Sequence, residues 1–105
     1  MAAPWNPPVK AEDFEFTLGL PDMSTPGKFK SSPTLASGDA KISKDEGALA
    51  NLTTLPSVAP ASSKLVLVEL SSTEMNADKV TIILSDQTDP PEWADVMITI
   101  LTTSS

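Results

Sequence analysis

Two apolar runs near the middle of the chain alternate in the manner of β-strands and are separated by a polar segment. Successive side chains of a strand point to opposite faces, so residues two apart share a face. The runs are residues 64–70 (KLVLVEL) and 79–85 (KVTIILS). Each has one wholly apolar face, formed by Val66, Val68 and Leu70 in the first run and by Val80, Ile82 and Leu84 in the second.

The segment between these runs, residues 71–78 (SSTEMNAD), has the S-x-x-E pattern of a helix capping box. In such a box the Ser71 hydroxyl accepts from the backbone N–H of Glu74, and the Glu74 carboxylate accepts from that of Ser71. The segment therefore predicts a strand, one helical turn and a second strand, with the turn serving as a connection.

The rest of the chain contains further short strands between turn signals. Alternation is clearest over residues 13–20 and 93–102, and residues 28–30 and 40–43 read as shorter strands. Residues 44–47 (KDEG) predict a hairpin turn in which Gly47 supplies a positive φ. The pattern of residues 48–55 fits either a strand or a loose helical turn. Residues 56–63 are predicted to be a loop that leads to the strand beginning at residue 64. About seven short strands at this spacing predict an all-β fold, an antiparallel β-sandwich.

The step from Leu70 through the capped turn to Val80 and Ile82 resembles the crossover between the fifth and sixth strands of immunoglobulin-like domains. The chain lacks the Cys pair and the corner Tyr of that family. The likeness implies an immunoglobulin-like arrangement of the strands.

A length of 105 residues predicts one domain. We assign residues 13–102 to the β-sandwich, residues 103–105 to a polar tail and residues 1–12 to an extended arm. The arm is rich in proline, which favours extended backbone. Trp5 lies among these prolines and has two interpretations. It packs back onto its own domain, or it anchors a neighbouring subunit, as Trp often does at binding hot spots. On the second interpretation, Pro4, Trp5, Pro7 and Pro8 form a partner-binding arm.

Composition argues against several classes of function. The chain has no His and no Cys, which removes the commonest general base, the thiol nucleophile and the commonest transition-metal ligands. All seven basic residues are Lys and the net charge is −7, which disfavours nucleic acid because phosphate contacts dominate that affinity. No signal peptide and no membrane-spanning run is recognisable, so we expect a soluble protein made in a cytoplasm. We predict no catalytic residue and no cofactor.

One acidic turn is the best candidate for a cation site. Asp86, Asp89 and Glu92 lie in or beside the segment DQTDPPEW, and three carboxylates with backbone carbonyls could hold Ca²⁺. The spacing is not that of an EF-hand loop, and turns are rich in Asp because its side chain bonds the local backbone. We therefore assign no metal to these three residues.

Three stretches of the chain resemble small structural proteins of tailed bacteriophages. They are residues 3–20 (APWNPPVKAEDFEFTLGL), 30–60 and 74–82 (EMNADKVTI). The most telling segment is GDAKISKDEGALANL, residues 38–52, which resembles a hairpin of phage head and tail accessory modules. The turn there is usually Asp-Gly-Gly, whereas here it is Asp45-Glu46-Gly47. The resemblance implies a non-enzymatic β-sandwich on the virus particle.

The function expected from this resemblance is that of a capsid decoration or cement protein. Copies made in the host cytoplasm would bind the outer shell between subunits of the major capsid protein, or bind other virion proteins, and would act as a homo-oligomer on the particle. An alternative is a neck, head-fibre or tail-fibre attachment module. A third hypothesis is a carbohydrate- or cell-surface-binding sandwich, for which only Trp5 and Trp93 are available as large aromatic platforms.

Overall fold

Antiparallel strands and their connecting turns account for the architecture of the chain. The computed structural model describes residues 8–88 and 90–103, and within those residues it has seven strands and no helix. The strands are β1 (Phe14–Leu18), β2 (Ala40–Lys44), β3 (Ala50–Asn51), β4 (Ser57–Val58), β5 (Val66–Leu70), β6 (Lys79–Leu84) and β7 (Val96–Leu101). The predicted all-β class is confirmed.

The strands form two sheets, and every pair of neighbours is antiparallel. The three-stranded sheet has the order β1-β5-β4, and the four-stranded sheet has the order β3-β2-β6-β7. The two central apolar strands therefore belong to different sheets, and the chain crosses between the sheets through residues 71–78. Register places Phe16 opposite Val68 in the first sheet and Ile82 between Ile42 and Ile98 in the second.

A single hydrophobic cluster joins the inward faces of the two sheets, as in a β-sandwich. The two apolar faces predicted from alternation supply its centre, and each of their members is 2% exposed or less. Partly buried side chains from β1 and β7 extend this cluster toward the sheet edges. Residues outside the strands complete it, namely Leu20, Leu52, Met75, Ala77 and Trp93.

The capping box forms as predicted, but the turn that it opens is too short to be a helix. The Ser71 N–H donates to Glu74 Oε1 at 2.9 Å, and the Glu74 N–H donates to Ser71 Oγ at 3.2 Å. One helical hydrogen bond follows, from the Met75 N–H to the Ser71 carbonyl at 2.9 Å. The segment then turns into β6, so the predicted helical turn is corrected to an isolated hydrogen-bonded turn.

The carboxylate of Glu74 has a second partner that sequence spacing could not indicate. Its Oε2 accepts from the backbone N–H of Thr53 at 2.9 Å, and the residue is 7% exposed. One buried side chain thus ties the crossover between the sheets to the segment that follows β3.

The hairpin between β2 and β3 is confirmed, but its left-handed residues differ from the prediction. Asp45 and Glu46 have φ of 50° and 63°, the pattern of a type I′ turn, and the Gly47 N–H donates to the Lys44 carbonyl at 2.9 Å. Glycine is favoured at position 47 for another reason: a Cβ there would lie 2.9 Å from the Lys44 oxygen. Glu46 is held in place by an ion pair with Lys79 at the start of β6.

Short or irregular strands are where sequence patterns and structure differ most. Residues 57–58, expected to be loop, form β4, because Ser57 and Val58 pair with Leu67 and Val66 of β5. Residues 28–30 are not a strand; Phe29 makes only an isolated bridge with Pro21. Two-residue pairings of this kind are set by the neighbouring strand and leave almost no periodic signal.

We predict that Glu74→Ala lowers the free energy of unfolding by about 1–3 kcal/mol, because the partly buried bonds from the Ser71 and Thr53 N–H groups lose their acceptor. Urea denaturation of the purified chain would measure this. Thr73→Ala is the matched control, since Thr73 is exposed on the same turn, and it should change stability by less than about 0.5 kcal/mol. Equal effects of the two substitutions would contradict the role assigned to Glu74.

Candidate functional site

The acidic turn after β6 is organised around the carboxylate of Asp86. Its Oδ1 accepts from the Thr88 N–H at 3.0 Å and from the Thr88 hydroxyl at 2.7 Å. Its Oδ2 accepts from the Glu92 N–H at 2.7 Å. Asp86 is 9% exposed, so these bonds replace most of its hydration. The side chain closes the loop between β6 and β7, and both of its oxygens are engaged within the chain.

A second buried aspartate, Asp39, joins this loop to the residues before β2. Its Oδ1 accepts from the Gln87 N–H at 3.1 Å, and its Oδ2 accepts from the Ala36 N–H at 3.0 Å. The Ser85 N–H also donates to the Asp39 carbonyl at 2.8 Å. The sequence did not indicate Asp39, because the bond that joins it to Gln87 spans 48 positions of the chain. The local signal was limited to the Gly38-Asp39 turn before a strand, where the Ala36 N–H donates to the carboxylate.

Glu92 and Trp93 anchor the same end of the sandwich to the loop after residue 30. The Thr34 N–H donates to Glu92 Oε1 at 3.3 Å, and the Trp93 indole N–H donates to the Thr34 carbonyl at 3.2 Å. Trp93 is 1% exposed and belongs to the core. Its ring therefore offers no face for a sugar, and the carbohydrate hypothesis loses Trp93, the one Trp that lies within the described residues.

The structure brings Asp86 and Glu92 together through backbone and loop contacts, while Asp89 lies outside the described residues. Across residues 8–88 and 90–103, no group of three His, Cys, Asp or Glu side chains is placed to hold a metal ion. In that same part of the chain, every buried side-chain nitrogen or oxygen has a hydrogen-bond partner. Asp86 and Glu92 thus have structural roles, and the assignment of no metal stays a prediction.

The beginning of the chain meets its end beside β7. Pro4, Trp5 and Pro7 lie outside the described residues, and Pro8 is the first arm residue that can be placed. The Thr103 N–H donates to the Pro8 carbonyl at 2.8 Å, and the Lys10 N–H donates to the Thr103 carbonyl at 2.9 Å. These bonds make a parallel bridge between Val9 and Thr103.

The last residues of the predicted arm also contact their own domain. The Ala11 N–H donates to the Met75 carbonyl at 3.0 Å, and Lys10 Nζ lies 3.2 Å from Asp78 Oδ1. Residues 8–12 are therefore packed against the crossover between the sheets rather than extended away from it. Only residues before Pro8 remain candidates for an arm that reaches a partner.

The outward side of β7 carries the most exposed apolar side chains of the described strands. Met97 is 67% exposed and Leu101 is 69% exposed. Within the described residues β7 pairs only with β6, so its other edge presents backbone N–H and carbonyl groups. An edge of this kind can accept an added strand from another chain.

The outward side of the three-stranded sheet carries a second exposed apolar region, centred on Phe29. Its ring covers Gly19, where a Cβ would lie 2.7 Å from the ring carbons. Phe29 is 53% exposed and Leu65 is 47% exposed. An open depression beside them is lined by Pro21, Gly27, Lys28, Phe29 and Lys64.

Comparison with known proteins adds no family to this description: no family model, no curated protein and no solved structure matches the chain. Among the residues that the structure describes, no helix is long and apolar enough to cross a membrane.

The hydrogen bonds around Asp86 make stability depend on pH. Burial raises the pKa of this carboxyl, but the bonds from Thr88 and from the Glu92 N–H outweigh burial and hold it below its ordinary value of 3.8. A carboxyl with a lowered folded pKa stabilises the protein above its unfolded pKa. That contribution is lost as the pH falls through the folded pKa.

We predict that Asp86→Asn lowers the free energy of unfolding by about 1–3 kcal/mol at pH 7, because the amide N–H₂ of Asn would face a backbone N–H donor. The variant and the unmodified chain should become closer in free energy of unfolding as the pH falls through the folded pKa of Asp86. Urea unfolding at stepwise lower pH measures it, with the exposed Asp95→Asn as the control. A difference that stays constant with pH would show that the ionised carboxylate is not what holds the loop.

Proposed function

We propose that this chain is a non-enzymatic structural protein of a tailed-bacteriophage particle, and specifically a decoration protein that binds the outer shell between capsid subunits. The starting point is the resemblance of residues 3–20, 30–60 and 74–82 to small phage structural proteins. Hydrogen bonding and exposed surface in the described residues support an adhesive role.

The buried polar groups support a role without catalysis. Asp39, Glu74 and Asp86 are the buried charged residues of the described chain, and each uses both carboxylate oxygens to accept from backbone or hydroxyl donors. Catalytic groups are generally held in clefts where a substrate can reach them. These carboxylates instead hold loops and turns together, which leaves the exposed faces and edges to bind partners.

The observation that carries the proposal is the place where the N-terminal segment joins the domain. Pro8 and Lys10 bond Thr103 just beyond β7, in parallel orientation. Pro8, the first described residue, therefore lies just beyond β7 at the open edge of the four-stranded sheet, near the exposed Leu101. A Pro- and Trp-containing segment at such an edge suits attachment to a neighbouring subunit by strand addition and by an aromatic anchor.

The finer fold type is part of the same proposal. If β1 to β7 are taken as strands B, C, C′, D, E, F and G, the two sheets become B-E-D and C′-C-F-G. Immunoglobulin-like sandwiches have E between B and D, and F between C and G. The strand order thus supports an immunoglobulin-like type, although the Cys pair and corner Tyr of antibody domains are absent. Interstrand distances from NMR that gave another order would reject it.

Particle composition tests the function directly. Quantitative mass spectrometry of purified particles should find copies in the hundreds, because decoration uses many weak contacts over a repeating shell. Electron microscopy should place them on the outer surface of the head. A handful of copies at the neck or tail would favour the attachment module, and absence from particles would contradict both readings.

Deleting residues 1–7 should lower occupancy on undecorated shells, because the attachment segment would be lost. The domain should stay folded, since the hydrogen bonds between Pro8, Lys10 and Thr103 remain. Co-sedimentation with shells measures occupancy, and circular dichroism checks the fold. Deletion of residues 104–105 is the matched control at the other end of the chain. Undiminished binding after the N-terminal deletion would remove the arm from the proposal.

A further inference from the structure

The outward side of β1 and β5 changes character along its length. At one end Glu15 lies directly opposite Glu69, and in the middle Thr17 lies opposite Leu67. The next position beyond the Leu18–Val66 pair brings Gly19, covered by Phe29, beside Leu65. We call this surface the β1–β5 face: Glu15, Thr17, Gly19, Phe29, Leu65, Leu67 and Glu69.

The far end of the β1–β5 face is basic. Lys28 and Lys64 line the same depression as Phe29 and Pro21. Two of the seven lysines of a chain with 14 acidic residues thus flank its exposed aromatic ring. A strand rises about 3.3 Å per residue, so Glu69 and Lys64 are separated by about 17 Å along β5. The face is therefore acidic at one end, apolar in the middle and basic at the other end.

The paired glutamates are unfavourable in a single copy of the chain. Like charges directly opposite each other on neighbouring strands destabilise a sheet. No described residue forms an ion pair with either Glu15 or Glu69; the ion pairs of the described chain join Lys10 to Asp78 and Lys79 to Glu46. A positive charge brought by a partner would relieve this repulsion.

We propose that the β1–β5 face binds a second copy of this chain, related by a two-fold axis that lies between the two faces, runs perpendicular to β5 and passes between Leu65 and Leu67. A two-fold axis brings each residue of the face onto a different residue of the partner, and each contact occurs twice. Antiparallel placement of the two faces puts the acidic end of one copy on the basic end of the other. The apolar part of the face, which includes the half-exposed ring of Phe29, is then covered by the apolar part of the second copy.

The charge order of the face identifies the occupant. A partner must present basic, apolar and acidic groups in the reverse order at a spacing of about 17 Å, and the face itself meets that requirement when rotated. Five-residue strands make a face smaller than the roughly 800 Å² per partner of a standard stable interface. The dimer should therefore be weak, form at high protein concentration and weaken with salt, because exposed charges are screened. The inference does not depend on the phage proposal.

Sedimentation equilibrium of the full chain over a range of concentrations, at low and high salt, tests the association. We expect a reversible monomer–dimer equilibrium at low salt. Glu69→Lys should weaken association about ten-fold or more, because it sets lysines of the two copies against each other. Adding Lys64→Glu to Glu69→Lys exchanges the two charges and should restore association. Lys41→Glu, on the outward side of β2 in the other sheet, is the control and should leave it unchanged.

Stability separates loss of the dimer from loss of the fold. Glu69→Lys removes the repulsion with Glu15, so the monomer should unfold at a higher urea concentration than the unmodified chain while its association is weaker. A chain that stays monomeric at every concentration would overturn the proposal. A dimer that ignores Glu69→Lys, or one that the double exchange does not restore, would also overturn it. None of these results bears on the proposed function on a phage particle. That proposal is tested separately by the composition of purified particles.

Discussion

The structure depends on the aliphatic layer formed where β5 of one sheet and β6 of the other turn their apolar faces inward. These six side chains are 2% exposed or less, and the other core residues surround them. Because the two strands are consecutive in the chain but belong to different sheets, their connection must cross the edge of the core. The geometry of this connection decides whether the two apolar faces meet. The short capped turn at residues 71–78 is therefore important for the whole core.

Buried carboxylates hold the connections of this small core in place. A chain without Cys has no disulfide to fix its loops, and a domain of this size buries a limited share of its surface. Glu74 and Asp39 each accept from donors in two separate connecting segments, and Asp86 closes the loop between β6 and β7. The cost of burying a charge is offset by several charge-assisted hydrogen bonds.

The same arrangement separates the buried, structural residues of the described chain from its exposed surfaces. Trp93 and the acidic loop, which looked available for ligands in the sequence, are used to pack and close one end of the sandwich. Exposed apolar side chains include Met97 and Leu101 at the edge strand β7, and Phe29 and Leu65 on the outward side of the three-stranded sheet. Both are suited to contact with other polypeptides, one through backbone groups and the other through charge and apolar area.

The sequence by itself determined the all-β class, the inward faces of β1, β5, β6 and β7, and the capping box. Those features depend on alternation or on spacing within a few residues, and such patterns can be recognised from residues that are close together in the sequence. The tertiary structure alone decided the strand order, the existence of β4, the bond from Gln87 to Asp39 and the bond from Thr53 to Glu74. It also decided that Trp93 is core and that Pro8 bonds Thr103. Each of these depends on segments far apart in the chain that fold together, and no local pattern records which segments will meet.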